Sequence, residues 1–148
     1  MSDRTVVELE TDAEIADAYP VLRQLRPVET DRLRELVATM RDEQGYRLFA
    51  VREDGEVRGV VGLIVTTNLY HGKHVWVHDL VVDEPHRSEG YGSRLLSFVE
   101  AFAERHDCSC YELASGRWRD EAHEFYERAG MAEYCYTFKK DLAAEAPY

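Results

Sequence analysis

The sequence predicts a mixed α/β fold, an α+β sheet with the element order β-α-α-β-β-β-α-β-α-β. Three observations carry this reading. Apolar residues recur at helical spacing in four segments, Val-rich runs bounded by turn residues lie between them, and an Asp-Gly pair joins two of those runs as a hairpin. The chain has 148 residues, the length of one domain. No repeat, Pro-rich linker or low-complexity run divides it, so residues 1–148 are expected to form a single unit.

Arg4 to Leu9 reads as a short first strand. Thr11-Asp12-Ala13-Glu14 has the form of a capping box, and Ile15, Ala18, Tyr19, Leu22 and Leu25 then follow helical spacing. After Pro27, Thr30 is expected to cap a second helix with Leu33, Leu36, Val37 and Met40 on its apolar face, stopped by Gly45. Tyr46 to Arg52 and Val57 to Thr67 flank Asp54-Gly55, a two-residue hairpin turn. The loop Asn68 to Gly72 leads into a third strand, His74 to Val82. A helix from about Glu89 to His106 buries Leu95, Leu96, Val99, Phe102 and Ala103. Cys108 to Ala114 reads as a strand. Asp120 to Ala129 is a helix with Ala122, Phe125, Tyr126 and Ala129 on one face, ended by Gly130. Ala132 to Lys140 is expected as a closing strand.

Lys plus Arg is 18 against 29 Asp plus Glu, a formal net charge of -11. That excludes the basic face a nucleic-acid binder needs. With 45% hydrophobic and 11% aromatic residues, the chain is globular and not a disordered acidic tail. Its only lysines are Lys73, Lys139 and Lys140. An acid-rich, Lys-poor surface suits strong salt, so a halophilic source explains the charge as well as a cationic partner does. Met1-Ser2-Asp3-Arg4 leads into no apolar leader, and Val60 to Val65, the longest apolar stretch, is too short to cross a membrane. A soluble, cytoplasmic protein without a membrane partner is expected.

Cys108, Cys110 and Cys135 are an odd set, and free structural thiols are the expectation. No zinc-module spacing is present, so no metal is expected. His71, His74 and His78 lack a third strand-face partner and read as hydrogen-bonded histidines. Trp76 and Trp118 read as core or cleft wall.

The chemistry concentrates between Val77 and Leu96: a strand, then Arg87-Ser88-Glu89-Gly90-Tyr91-Gly92, then an amphipathic helix. Glycines allow close backbone approach, and the first amides of a helix face an anion with the positive end of the dipole. Arg87 adds a fork-shaped cation for phosphate oxygens. The loop suits a diphosphate, yet it is neither a Walker A loop nor a Rossmann fingerprint.

The segments Asp79-Leu80-Val81-Val82-Asp83 to Arg87-Ser88-Glu89-Gly90-Tyr91-Gly92 and Ala122-His123-Glu124-Phe125-Tyr126-Glu127-Arg128-Ala129-Gly130-Met131 resemble the GNAT superfamily of N-acetyltransferases. The resemblance is specific over residues 74–131 and looser beyond. It implies a GNAT-like acyl-CoA N-acyltransferase fold with a splayed central sheet and acetyl-CoA in the cleft. On that pattern the backbone amides from Arg87 to Gly92 (Arg87, Ser88, Glu89, Gly90, Tyr91, Gly92), with Ser93 nearby, meet the pyrophosphate. The main chain of Leu80, Val81 and Val82 meets the pantetheine, with the Leu80 amide as oxyanion donor. The resemblance implies that Tyr126 faces the thioester sulfur and acts as general acid. Two departures stand out: Arg119 replaces a common Asn, and Glu89 a common small or basic residue.

In several GNAT families a glutamate base lies four residues before the residue matching Leu80; here that position is Trp76. Simple alternation puts His74, Trp76, His78, Leu80 and Val82 on one face, with Val75, Val77, Asp79 and Val81 on the other. His78 is therefore the expected base, acting directly or through water. Asp79 reads as a hydrogen-bonded acid anchoring a neighbouring loop. The resemblance implies transfer of acetyl from acetyl-CoA to a primary amine in a ternary complex. A non-catalytic acyl-CoA-binding sensor or partner-binding module is the alternative, and a nucleotide-binding regulator a third reading. Small amine, antibiotic, peptide N-terminus and protein lysine all stay open as acceptors, as do a longer acyl donor and a homodimer. Acceptor contacts are expected from the first two helices and the Asn68–Lys73 loop.

Overall fold

The computed structural model describes residues 4–148. Met1 to Asp3, on which the expectation of no leader partly rests, lie outside the described residues. The order is β1 (Thr5–Leu9), α1 (Asp12–Leu25), α2 (Thr30–Gln44), β2 (Arg47–Glu53), β3 (Glu56–Asn68), β4 (Gly72–Val82), a 3₁₀ turn (Glu84–His86), α3 (Tyr91–Arg105), β5 (Tyr111–Leu113) and α4 (Asp120–Arg128). Among the described residues no helix is long and apolar enough to cross a membrane.

Local signals set most boundaries. The capping box forms at Thr11: its hydroxyl accepts from the Glu14 amide and the Glu14 carboxylate accepts from the Thr11 amide, both at 3.1 Å. Gly45 ends α2 at φ 69°, a left-handed conformation that glycine adopts without strain. Asp54 and Gly55 take φ 54° and 77° between Glu53 and Glu56, as a two-residue hairpin turn requires. Thr30 does not cap α2. It is the first helical residue, Glu29 precedes it, and no side chain caps that end.

The five strands form one sheet in the order β1-β2-β3-β4-β5. All neighbours are antiparallel except β4 and β5, which are parallel. Alternation sends Leu48, Ala50 and Val60 to the face covered by α1 and α2. It sends Phe49, Val51, Val61 and Leu63 to the face covered by α3, where Leu95, Val99 and Phe102 meet them.

β4 departs from simple alternation. Gly62 of β3 pairs with Asp79, but Leu63 pairs with Val77, so His78 is the extra residue of a bulge. Before it, Val75 and Val77 pack on the α3 side; after it, Val81 packs on the α1–α2 side. The expected grouping of Val75, Val77, Asp79 and Val81 on one face is thus corrected, because one inserted residue shifts the two-residue period.

Gly62 has a second role. A Cβ there would lie 1.8 Å from the Tyr46 hydroxyl oxygen, and Tyr46 is held by its hydrogen bond to Asp79. Gly62→Ala is therefore expected to destabilise the fold by about 1–3 kcal/mol, with the midpoint of urea unfolding as the readout. An unchanged midpoint would show that the Tyr46 ring is free to move.

Two strand expectations are corrected. β5 is limited to Tyr111–Leu113; before it, two backbone bonds still reach β4, the Cys110 carbonyl accepting from the Val75 amide and the Ser109 amide donating to the Lys73 carbonyl. The closing strand over Ala132 to Lys140 does not form. Its alternation is strand-like, but a strand is defined by pairing, and the segment lies unpaired with Tyr134, Tyr136 and Phe138 69%, 71% and 91% exposed.

Candidate active site

The sheet opens where β4 outlasts β5. Pairing runs from Val75 with Tyr111 to Val77 with Leu113 and stops there. From His78 to Val82, β4 keeps its β3 neighbour and has no second strand partner among the described residues. Two carbonyls of this stretch accept from side chains: His78 from Arg26 Nη2 at 2.8 Å, and Val82 from Arg87 Nε at 3.3 Å.

Arg26 stands at the C-terminal end of α1. Its Nε donates to Asp79 Oδ1 at 2.9 Å, while Tyr46, just before β2, donates its hydroxyl proton to Asp79 Oδ2. Asp79 is buried, and its charge is met by a guanidinium and a phenol. It thus anchors the end of α1, the neighbouring-loop tie expected of it. Burial, and next the Asp79 charge, push the Tyr46 hydroxyl well above the ordinary phenol range.

The bulge places His78 between two cavities. The larger, about 280 Å³, lies between α1, α2 and β4 and includes Arg26, Tyr46, His78 and Asp79 in its lining. The smaller, about 20 Å³, brings His78 together with Leu80, Arg119 and Tyr126. His78 Nε2 is buried with no hydrogen-bond partner. Burial lowers the His78 pKa below its ordinary value, Asp79 opposing and Arg26 adding to the shift, so the ring is neutral at pH 7. Tyr126 is raised chiefly by burial, with Arg119 pulling the other way. The phenol stays protonated through neutral pH and keeps a proton to give.

The loop from Arg87 to Gly92 turns the chain from β4 into α3. Ser88 and Gly90 take φ 65° and 93°, and no side chain caps α3, whose ladder starts with the Arg94 amide on the Gly90 carbonyl at 3.1 Å. The amides of Tyr91, Gly92 and Ser93 precede that bond, at the positive end of the helix dipole. Arg4 braces the loop: its guanidinium donates to the Glu89 carbonyl, pairs with Glu53 at 3.3 Å and sits 4.1 Å over the Tyr91 ring. The Glu89 carboxylate turns toward His86 Nδ1, 3.6 Å away. Phe125 closes the α3–α4 contact against Gly92, where a Cβ would meet its ring at 3.0 Å.

The structure thus brings His78, Leu80 and Tyr126 around one small cavity. The Arg87–Ser93 segment runs from the 3₁₀ turn into the first turn of α3, and neither it nor the Asn68–Lys73 loop lines either cavity. Arg26 and Tyr46 escaped sequence reasoning, and the one signal for them was Asp79 itself, an acid among valines.

His74 and His78 separate. His71 Nε2 and His74 Nε2 both reach Glu112, at 3.0 and 3.4 Å, tying β4 to β5. Among the described residues no group of three or more His, Cys, Asp or Glu side chains is arranged to hold a metal ion. Cys108 and Cys110 are half-buried free thiols, and Cys135 is free and exposed.

Residues 9–131 match the Acetyltransferase (GNAT) family. The chain is 34% identical over 139 residues to the uncharacterized N-acetyltransferase YhdJ of Bacillus subtilis, covering 91% of this chain and 96% of that one. It is 36% identical over 98 residues to the aminoalkylphosphonate N-acetyltransferase of Salmonella typhimurium, covering 66% and 62% of the two. The solved structure of the aminoglycoside N-acetyltransferase AAC(6')-Iy in complex with CoA superposes with a TM-score of 0.82 at 13% identity, covering 97% of each chain. The open mixed sheet, with a glycine turn leading into a helix, is the fold shared with that structure. The chain belongs to the GNAT family of acetyltransferases.

Proposed function

We propose that the protein transfers the acetyl group of acetyl-CoA to the primary amine of a small molecule, by direct attack in a ternary complex. The observation that carries this reading is the position of His78, which borders both the acceptor-sized cavity and the small cavity shared with Leu80 and Tyr126. In the proposed assignment the amides from Arg87 to Gly92, with Ser93, hold the diphosphate of the co-substrate. The stretch Leu80, Val81 and Val82, paired with β3 on one side and past the end of β5 on the other, holds its pantetheine arm. The uncapped start of α3 and the strand-free edge of β4 support that fit.

The chain's own groups then divide the work. His78 takes a proton from the arriving ammonium, and the neutral nitrogen attacks the thioester carbonyl. The Leu80 amide meets the oxygen that becomes negative. As the C–S bond breaks, the Tyr126 hydroxyl protonates the departing thiolate, and the second proton leaves the former amine nitrogen to restore the Tyr126 phenol, directly or through solvent. The relative that acetylates aminoalkylphosphonates supports a small-molecule amine as acceptor.

The test is amine-dependent thiol release from acetyl-CoA across an amine library, in low and high salt. CoA binding without amine-dependent release would instead support a non-catalytic module. The pH profile then isolates His78. Its pKa is lowered, so kcat/KM should hold through neutrality and fall on an acidic limb below about pH 6.5. His78→Gln should lose that limb and most of the rate, while Asp79→Asn should keep the limb. A folded His78→Gln variant with wild-type rate and limb would remove His78 from the mechanism.

A further inference from the structure

We infer from the larger cavity that the acceptor is an amine with an apolar body and no second positive charge; this rests on the acetyltransferase reading above. Six of its lining residues are Leu22, Val28, Leu33, Leu36, Val37 and Met40, contributed by α1, the α1–α2 link and α2. The charged residues in the lining are Arg26 and Asp79, and they neutralise each other at 2.9 Å. Both Asp79 oxygens already accept a hydrogen bond, one from Arg26 and one from Tyr46. The other titratable side chains of the lining are His78, held neutral at pH 7, and the phenols of Tyr46 and Tyr148. A second ammonium carried into this cavity would meet a guanidinium and hydrocarbon, with no side-chain carboxylate of the lining left to balance it. A buried cation without a partner is strongly disfavoured.

What the chain itself puts at the mouth points the same way. Pro147 and Tyr148 contribute to the lining, and the Tyr148 hydroxyl accepts from Arg26 Nη1 at 3.3 Å. An apolar ring ending in a neutral oxygen is thus compatible with this site. The overall charge of -11 would attract polycations to the surface, but the cavity selects by its own lining. The contrast separates this chain from acceptors such as aminoglycosides and polyamines, whose several ammonium groups need several carboxylates.

A matched pair tests it. Hexylamine and 1,6-diaminohexane have the same length and differ by one ammonium. With acetyl-CoA as donor, kcat/KM for hexylamine should exceed that for the diamine by roughly tenfold or more. Leu36→Glu, which puts a carboxylate on the apolar wall at a half-buried position of α2, should shift the ratio toward the diamine. Met40→Glu serves the same purpose if the first variant misfolds. Equal or greater activity on the diamine in the wild type would overturn the inference, as would an unchanged ratio in folded variants.

If neither amine is acetylated, the pair is titrated by calorimetry into the CoA-saturated protein. Binding of hexylamine in preference to the diamine would uphold the pocket chemistry while the catalytic reading fails. Absence of that preference would overturn the pocket chemistry itself.

Discussion

A folded Gly90→Asp variant is expected to lose acetyl-CoA binding altogether. Gly90 sits at φ 93° immediately before α3, where the proposal brings the diphosphate against uncapped amides. A carboxylate there fills the approach and sets a like charge against two phosphates at the end of a dipole that otherwise favours them. Gly90→Ala is the control. Its methyl meets the flexible tip of Arg4 at 3.1 Å and a φ disfavoured for L-residues, so it should cost stability by about 1 kcal/mol while keeping the amides available. Calorimetry with acetyl-CoA, at a salt concentration where both variants are folded, reads the difference. Undiminished affinity in Gly90→Asp would remove the loop from the site.

Tyr126→Phe is expected to lower kcat by about 10²–10⁴-fold with little change in acetyl-CoA affinity. The ring stays in the small cavity with Leu80 and His78, so packing is preserved and only the proton donor is removed. Burial raises the Tyr126 pKa above the ordinary phenol value. The wild-type enzyme should therefore keep its acid form across the neutral range, with no loss of this group below about pH 10. An unchanged kcat would assign the hydroxyl to packing and leave the thiolate to water.

Much of this architecture is legible in the residues because the signals are local. The Thr11 capping box, the Asp54-Gly55 turn and the Gly45 helix end each require only a few neighbours, and each forms where the sequence places it. The Arg87–Gly92 turn and the α4 position of Tyr126 follow from order and spacing. The β4 bulge is different. It falls beside Gly62 of another strand, where the missing side chain makes room for the Tyr46 ring that bonds Asp79. Strand alternation read along β4 alone has no access to that pairing, so it placed His78 and Asp79 on opposite faces. The inserted residue lets both line the larger cavity.

Arg26 was hidden for a related reason. It follows α1 and lies 53 positions from its partner Asp79, a separation that no periodicity spans. The segment after Met131 shows the converse limit. Ala132 to Lys140 has the alternation of a strand, but pairing requires a template, and β5 offers only Tyr111–Leu113.

The most direct measurement of the central claim is mass spectrometry of the acceptor after reaction with acetyl-CoA carrying a deuterated acetyl group. The account predicts one labelled acetyl on the amine nitrogen for each thiol released, abolished in Tyr126→Phe and His78→Gln to the extent that kcat falls. Thiol release without labelled amine, or tight acetyl-CoA binding with no transfer to any primary amine, would contradict it.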